Sequence, residues 1–75
     1  MHDVVALLED VAAKHFETGQ PLHLRRGQVG TVVMTYNPET VEVEFAGLDG
    51  RAYAILPLQK QLLIALRQEP EVAAA

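Results

Sequence analysis

Cysteine is missing from this chain of 75 residues, and so is serine. Without cysteine there is no disulfide staple, no thiolate metal site and no thiol nucleophile, which fits a reducing cytosol. Without serine, nucleophilic catalysis would fall to four threonines, none with a base constellation nearby in the sequence. Long apolar runs are missing too. The stretch 62–66 is among the longest and is far too short to cross a bilayer. A secretory signal would need positive charge ahead of an apolar run, and the first ten residues instead carry Asp3, Glu9 and Asp10. A cytoplasmic protein with no membrane partner is expected. Cations are scarce, with six Lys and Arg against ten Asp and Glu and a net charge of −4. Such a surface repels a nucleic-acid backbone unless its cations cluster. Aromatic residues are limited to Phe16, Tyr36, Phe45 and Tyr53, too few exposed rings for a polyproline groove.

What is present belongs to one small globular domain. The chain is 49% apolar and 21% charged, ordinary values for a folded chain. A domain of this size must rest on a single compact core. We place it at residues 1–68, with 69–75 as a flexible tail.

The stretch Arg25-Arg26-Gly27-Gln28-Val29-Gly30-Thr31-Val32-Val33 is the centre of that domain. Its β-branched run favours a strand from 28 to about 36. Gly27 reads as a turn residue where a positive φ is needed. Gly30, inside the strand, marks a bulge, a bend or a close backbone approach. Alternation puts Gly30, Val32, Met34 and Tyr36 on the inner face and Val29, Thr31, Val33 and Thr35 outside. After an Asn-Pro turn, Val41-Glu42-Val43-Glu44-Phe45 alternates strictly, with its glutamates outward. The pair forms a hairpin. A turn at 47–50 leads to a further strand, 51–56, whose inner set is either Tyr53/Ile55 or Ala52/Ala54/Leu56. Pro57 is expected to end it. Residues 58–61 read as a single turn of 3₁₀ type, and 62–66 as either helix or a closing strand.

Before the centre the signals are weaker. Residues 3–9 suit a helix or a buried strand equally. Residues 11–17 read as a short helical or irregular excursion stopped by Gly19 and Pro21. Leu22 and Leu24 are available to tuck under the core.

The order of these signals resembles an SH3-like barrel: the glycine-valine strand, the acidic alternating strand, Asp49-Gly50-Arg51 and a late Gln61-Leu62. With Asp3-Val4-Val5-Ala6-Leu7 at its head, the chain resembles the bacterial domain-of-unknown-function family 4926, and more loosely KOW-like SH3 barrels. The resemblance spans residues 3–9 and about 23–66. It implies an all-β fold, a small SH3-like five-stranded partly open barrel with a short helical excursion after the first strand, and it makes the head segment a strand. The chain departs from the family pattern in a longer connector between 10 and 22 and in the double leucine near the end. The family implies no established activity.

Candidate chemistry is thin. His2, His15 and His23 lack metal-ligand spacing. Glu42 and Glu44 face solvent, where nothing raises a carboxylate towards neutrality. Neither a metal nor another cofactor is expected, nor enzymatic activity. Arg25, Arg26 and Arg51 could form a basic patch with Tyr53 as a stacking ring, but the surrounding acids disfavour nucleic acid. The run 62–66 puts apolar residues on both faces of a strand, more than so small a barrel can bury. The expected function is therefore a small acidic non-enzymatic interaction module, an accessory or neutralising partner of another protein or a self-associating one. Its candidate surface is Arg25, Arg26, Arg51, Tyr53, Leu63 and Ile64. The alternative is a KOW-like contact to nucleic acid or the ribosome.

Overall fold

A computed structural model describes residues 3–73. It is all-β and antiparallel, with seven strands and a single 3₁₀ turn. The strands are β1 (Val4–Leu7), β2 (Val11–Lys14), β3 (Pro21–Leu24), β4 (Val29–Asn37), β5 (Thr40–Ala46), β6 (Ala52–Gln59) and β7 (Leu63–Ala65), with the 3₁₀ turn Lys60–Leu62 before the last. Five of them form one sheet in the order β6-β5-β4-β1-β7, and β2 and β3 form a separate hairpin. The large sheet does not close on itself, and β6 and β7 are its edges. No described helix is long and apolar enough to cross a membrane.

The core lies on the inner face of the large sheet, under the hairpin. Val5 and Leu7 from β1, Leu24 from β3, Val41, Val43 and Phe45 from β5, and Ala54 and Leu58 from β6 form it. The alternation read in β5 holds: Val41, Val43 and Phe45 are buried while Glu42 and Glu44 lie on the opposite side. The first strand also forms where it was expected, at Val4–Leu7, and pairs with both β4 and β7.

Gly27 has φ of +90°, the left-handed region that glycine enters cheaply. Gly30 is a close approach rather than a bulge. A Cβ there would lie 2.7 Å from Val43 Cγ1 and 2.8 Å from Phe45 Cε1.

The bulges come later in β4, and they correct its face assignment. Val32 pairs with Val43 but Met34 pairs with Glu42, which leaves Val33 as an extra residue. A second shift leaves Tyr36 extra between Thr35 and Asn37. Each inserted residue reverses the parity of the residues after it. Gly30 and Val32 are inward as expected. Met34 and Tyr36 are not: both are about half exposed, and the Tyr36 hydroxyl donates to Glu42 Oε1 at 2.8 Å. Thr35 is exposed as expected, and it lines a cleft with Val5, Val32 and Val41.

The excursion after β1 is a β-hairpin and not a helix. Val11 pairs with Leu24 and Ala13 with Leu22, so a period of two places four apolar side chains on one face against the core. A helix over 11–17 would leave Leu22 and Leu24 without that partner strand. The turn is held by the His15 carbonyl, which accepts from Gly19 N–H at 2.8 Å, and by His15 Nδ1, which accepts from Glu17 N–H at 3.1 Å.

Two smaller corrections concern the second half. Pro57 does not end β6, which continues to Gln59. The strand is an edge, where a residue without an N–H is tolerated. The 3₁₀ turn therefore falls at Lys60–Leu62 rather than 58–61. Neither expected set is realised whole: Ala54, Leu56 and Leu58 face the core and Tyr53 also packs against it, while Ala52 and Ile55 do not. Tyr53 is the extra residue of a further bulge opposite Phe45 and Ala46. Of the two readings of 62–66, a strand and not a helix is observed, at Leu63–Ala65, but it leaves the sheet open with β7 as an edge. His2 and the last two residues of the tail lie outside the described residues.

Candidate functional site

The outer surface of the large sheet divides into two halves of opposite character. On β5 the outward residues are Glu42 and Glu44. On β1, β7 and the start of β4 they are apolar except for Thr31. Residues of β1 with even numbers face outward, because Val5 and Leu7 are in the core. Register then builds rows across the strands. Val29, Ala6 and Ile64 form one, since Ala6 pairs with both neighbours. Thr31, Val4 and Leu66 form the next, with Leu66 N–H donating to the Val4 carbonyl at 2.9 Å. Leu8, just beyond β1, continues the face through its N–H to the Leu62 carbonyl at 2.8 Å.

Val4, Leu8, Val29, Ile64 and Leu66 are each between 42% and 51% exposed. At the middle of the face Ala6 is only 7% exposed, shadowed by Val29 and Ile64, so the surface has a shallow dip there. These rows contain no charged residue. Thr31, which pairs with Glu44, marks the border with the acidic half.

The residues singled out in the sequence fall in three places. Ile64 lies in the middle of the apolar face. Leu63, on the same strand, turns the other way and packs against the core. Arg25 and Arg26 are held at the base of the small hairpin by Asp10. Its Oδ1 accepts from Arg26 N–H at 2.8 Å, and its Oδ2 is 3.2 Å from the Arg25 guanidinium. The Arg26 N–H, with the Arg25 side chain adding to it, holds the Asp10 carboxyl below its ordinary value. Arg51 and Tyr53 line a separate depression with His15, Glu17 and Asp49. The Tyr53 hydroxyl is committed to the Gln28 side-chain amide. The arginines are thus interleaved with carboxylates.

A cleft of about 300 Å³ opens at the unclosed side of the sheet, lined by Asp3, Val5, Val32, Thr35, Val41, Lys60, Leu63 and Ala65. Most of its lining is apolar, with Asp3 and Lys60 supplying one carboxylate and one ammonium and Thr35 a hydroxyl. Among the described residues no three histidine or carboxylate side chains converge as metal ligands would. Glu42 meets the Tyr36 hydroxyl, and that hydrogen bond raises the tyrosine pKa above its ordinary value.

Of this apolar face the sequence named only Ile64 as an interaction residue; Val29, though assigned outward, and Val4, Leu8 and Leu66 were not in its candidate surface. The signal was present: Val4-Val5-Ala6-Leu7-Leu8 does not alternate, so a strand there must be apolar on both faces.

Residues 1–65 match the sequence profile of the family described as Domain of unknown function (DUF4926). The chain belongs to that family. No curated protein and no solved structure matches it.

Proposed function

We propose that this protein is a small, acidic, non-enzymatic interaction module that docks another protein through the outer face of β4, β1 and β7. One observation carries the reading: five large apolar side chains share one face, each about half exposed, with no charge among them. Contiguous apolar surface beyond a few hundred Å² is rare on a monomeric soluble protein and marks interaction sites. The acidic half of the same sheet surface supplies a polar border, as interfaces commonly have. The topology supports an SH3-like, partly open barrel as the scaffold. Its first strand lies between the central hairpin and β7, and a 3₁₀ turn delivers that last strand. An accessory or neutralising role towards that partner, in the cytoplasm, completes the proposal.

Affinity capture from the source organism tests it, with wild type and Val29→Lys as paired baits. A protein retained by wild type and lost with the variant supports the reading. Identical eluates from the two baits overturn it.

A further inference from the structure

The two edges of the large sheet are not equally protected. β6 carries Pro57, and the tip of the small hairpin covers part of it, with Phe16 N–H donating to the Tyr53 carbonyl at 3.1 Å. Such devices keep an edge from pairing with another chain. β7 has neither. The bonds from Leu8 N–H to Leu62 and from Leu66 N–H to Val4 show that Leu62, Ile64 and Leu66 turn their backbone groups to β1. Leu63 and Ala65 therefore turn theirs to the open side. The Leu63 N–H closes the 3₁₀ turn on the Lys60 carbonyl. The Leu63 carbonyl and both backbone groups of Ala65 remain on the edge.

We propose that this edge pairs antiparallel with β7 of a second copy of the chain, about a two-fold axis at Ala65. There the Ala65 N–H of each copy donates to the Ala65 carbonyl of the other, and each Leu63 carbonyl accepts from Arg67 N–H of the other. A residue that exchanges both its bonds with its own symmetry mate is what an antiparallel two-fold contact provides.

Charge does not oppose this occupant. Within the paired segment 63–67 the one charged side chain is Arg67, which faces Leu63 of the other copy, while Asp3 and Lys60, lining the cleft beside Leu63 and Ala65, supply one charge of each sign. The Glu42 and Glu44 carboxylates sit on β5, three strands from β7, roughly 14 Å at about 4.8 Å per strand. That exceeds the Debye length of about 8 Å at physiological ionic strength, so these two carboxylates oppose the contact only weakly. Pairing also places Ile64 and Leu66 of the two copies side by side, which extends the apolar rows across the axis. So short an edge covers less than the roughly 800 Å² per partner of a standard interface. The dimer is accordingly weak and depends on concentration. It uses the edge rather than the outer face, so its failure leaves the docking reading standing.

Sedimentation equilibrium of the full chain over a wide concentration range tests the proposal. The mass should rise from 8.2 kDa towards twice that value. Ala65→Pro, which removes the edge N–H, should weaken self-association by roughly tenfold or more, the effect of two lost hydrogen bonds. Ala65→Val keeps the N–H and should leave it in place. Because proline could disturb β7 itself, amide exchange on the wild type gives an independent reading: protection of Ala65 N–H should rise with protein concentration. A chain that stays monomeric with that amide unprotected overturns the proposal, as does a dimer that a folded Ala65→Pro variant still forms.

Discussion

The acidic and apolar halves of the sheet's outer surface are built from adjacent strands with the same inner face. β5 gives one side chain in two to the core and the other to water, as Glu42 and Glu44. β1 also gives one in two to the core, but it spends the rest on Val4, Ala6 and Leu8. The core needs only the inner set. On the proposed reading the outer apolar set is covered by a partner and contributes little to the isolated fold.

Substitutions on the two faces should separate these roles. The largest effect is expected inside. Phe45→Ala empties the best-buried ring of the core and should cost about 3–5 kcal/mol of unfolding free energy, measured by urea denaturation. Gly30→Ala is next. Its methyl meets Val43 and Phe45 at less than contact distance, and overpacking of that kind costs about 1–3 kcal/mol. On the outside, Val29→Lys should change stability by no more than about 0.5 kcal/mol while abolishing partner capture. If it proves as costly as Phe45→Ala, the outer face is part of the core and the comparison fails.

The smallest effect belongs to Asp10. Its folded pKa lies below the ordinary 3.8, so its stabilising contribution is present above that value. It is lost as pH falls through the folded pKa. Asp10→Asn should remove this part of the acid dependence at small cost at pH 7, because the amide oxygen can still accept from Arg26 N–H and the Arg25 pair is exposed and worth little. A related check concerns the arginines. In a gel-shift titration at two salt concentrations, no nucleic-acid binding is expected at physiological ionic strength.

Much of the fold was legible because alternation is a local signal. Val41, Val43 and Phe45 declared the inner face of β5 without help from any other strand, and Gly27 declared its turn. The errors came where the deciding contact is distant in sequence. Nothing near Val33 says that an extra residue enters there; the partner Glu42 and the curvature of the sheet decide it, and with it the outward turn of Met34 and Tyr36. Residues 11–14 are short and rich in alanine, which suits helix locally. Only the mate strand ending in Leu22 and Leu24 makes them extended. The candidate site was half legible. Ile64 stood out in an apolar run, whereas Val29 was assigned outward without its neighbours Ala6 and Val4, because pairing between β4 and β1 is not written in either strand.

A photoactivatable cross-linking side chain placed at position 29, and in a second variant at position 42, puts the comparison to its most direct test in living source cells. The account predicts a discrete adduct with a different polypeptide from position 29 and none from position 42. Adducts from position 42 alone, or from neither position, would contradict it.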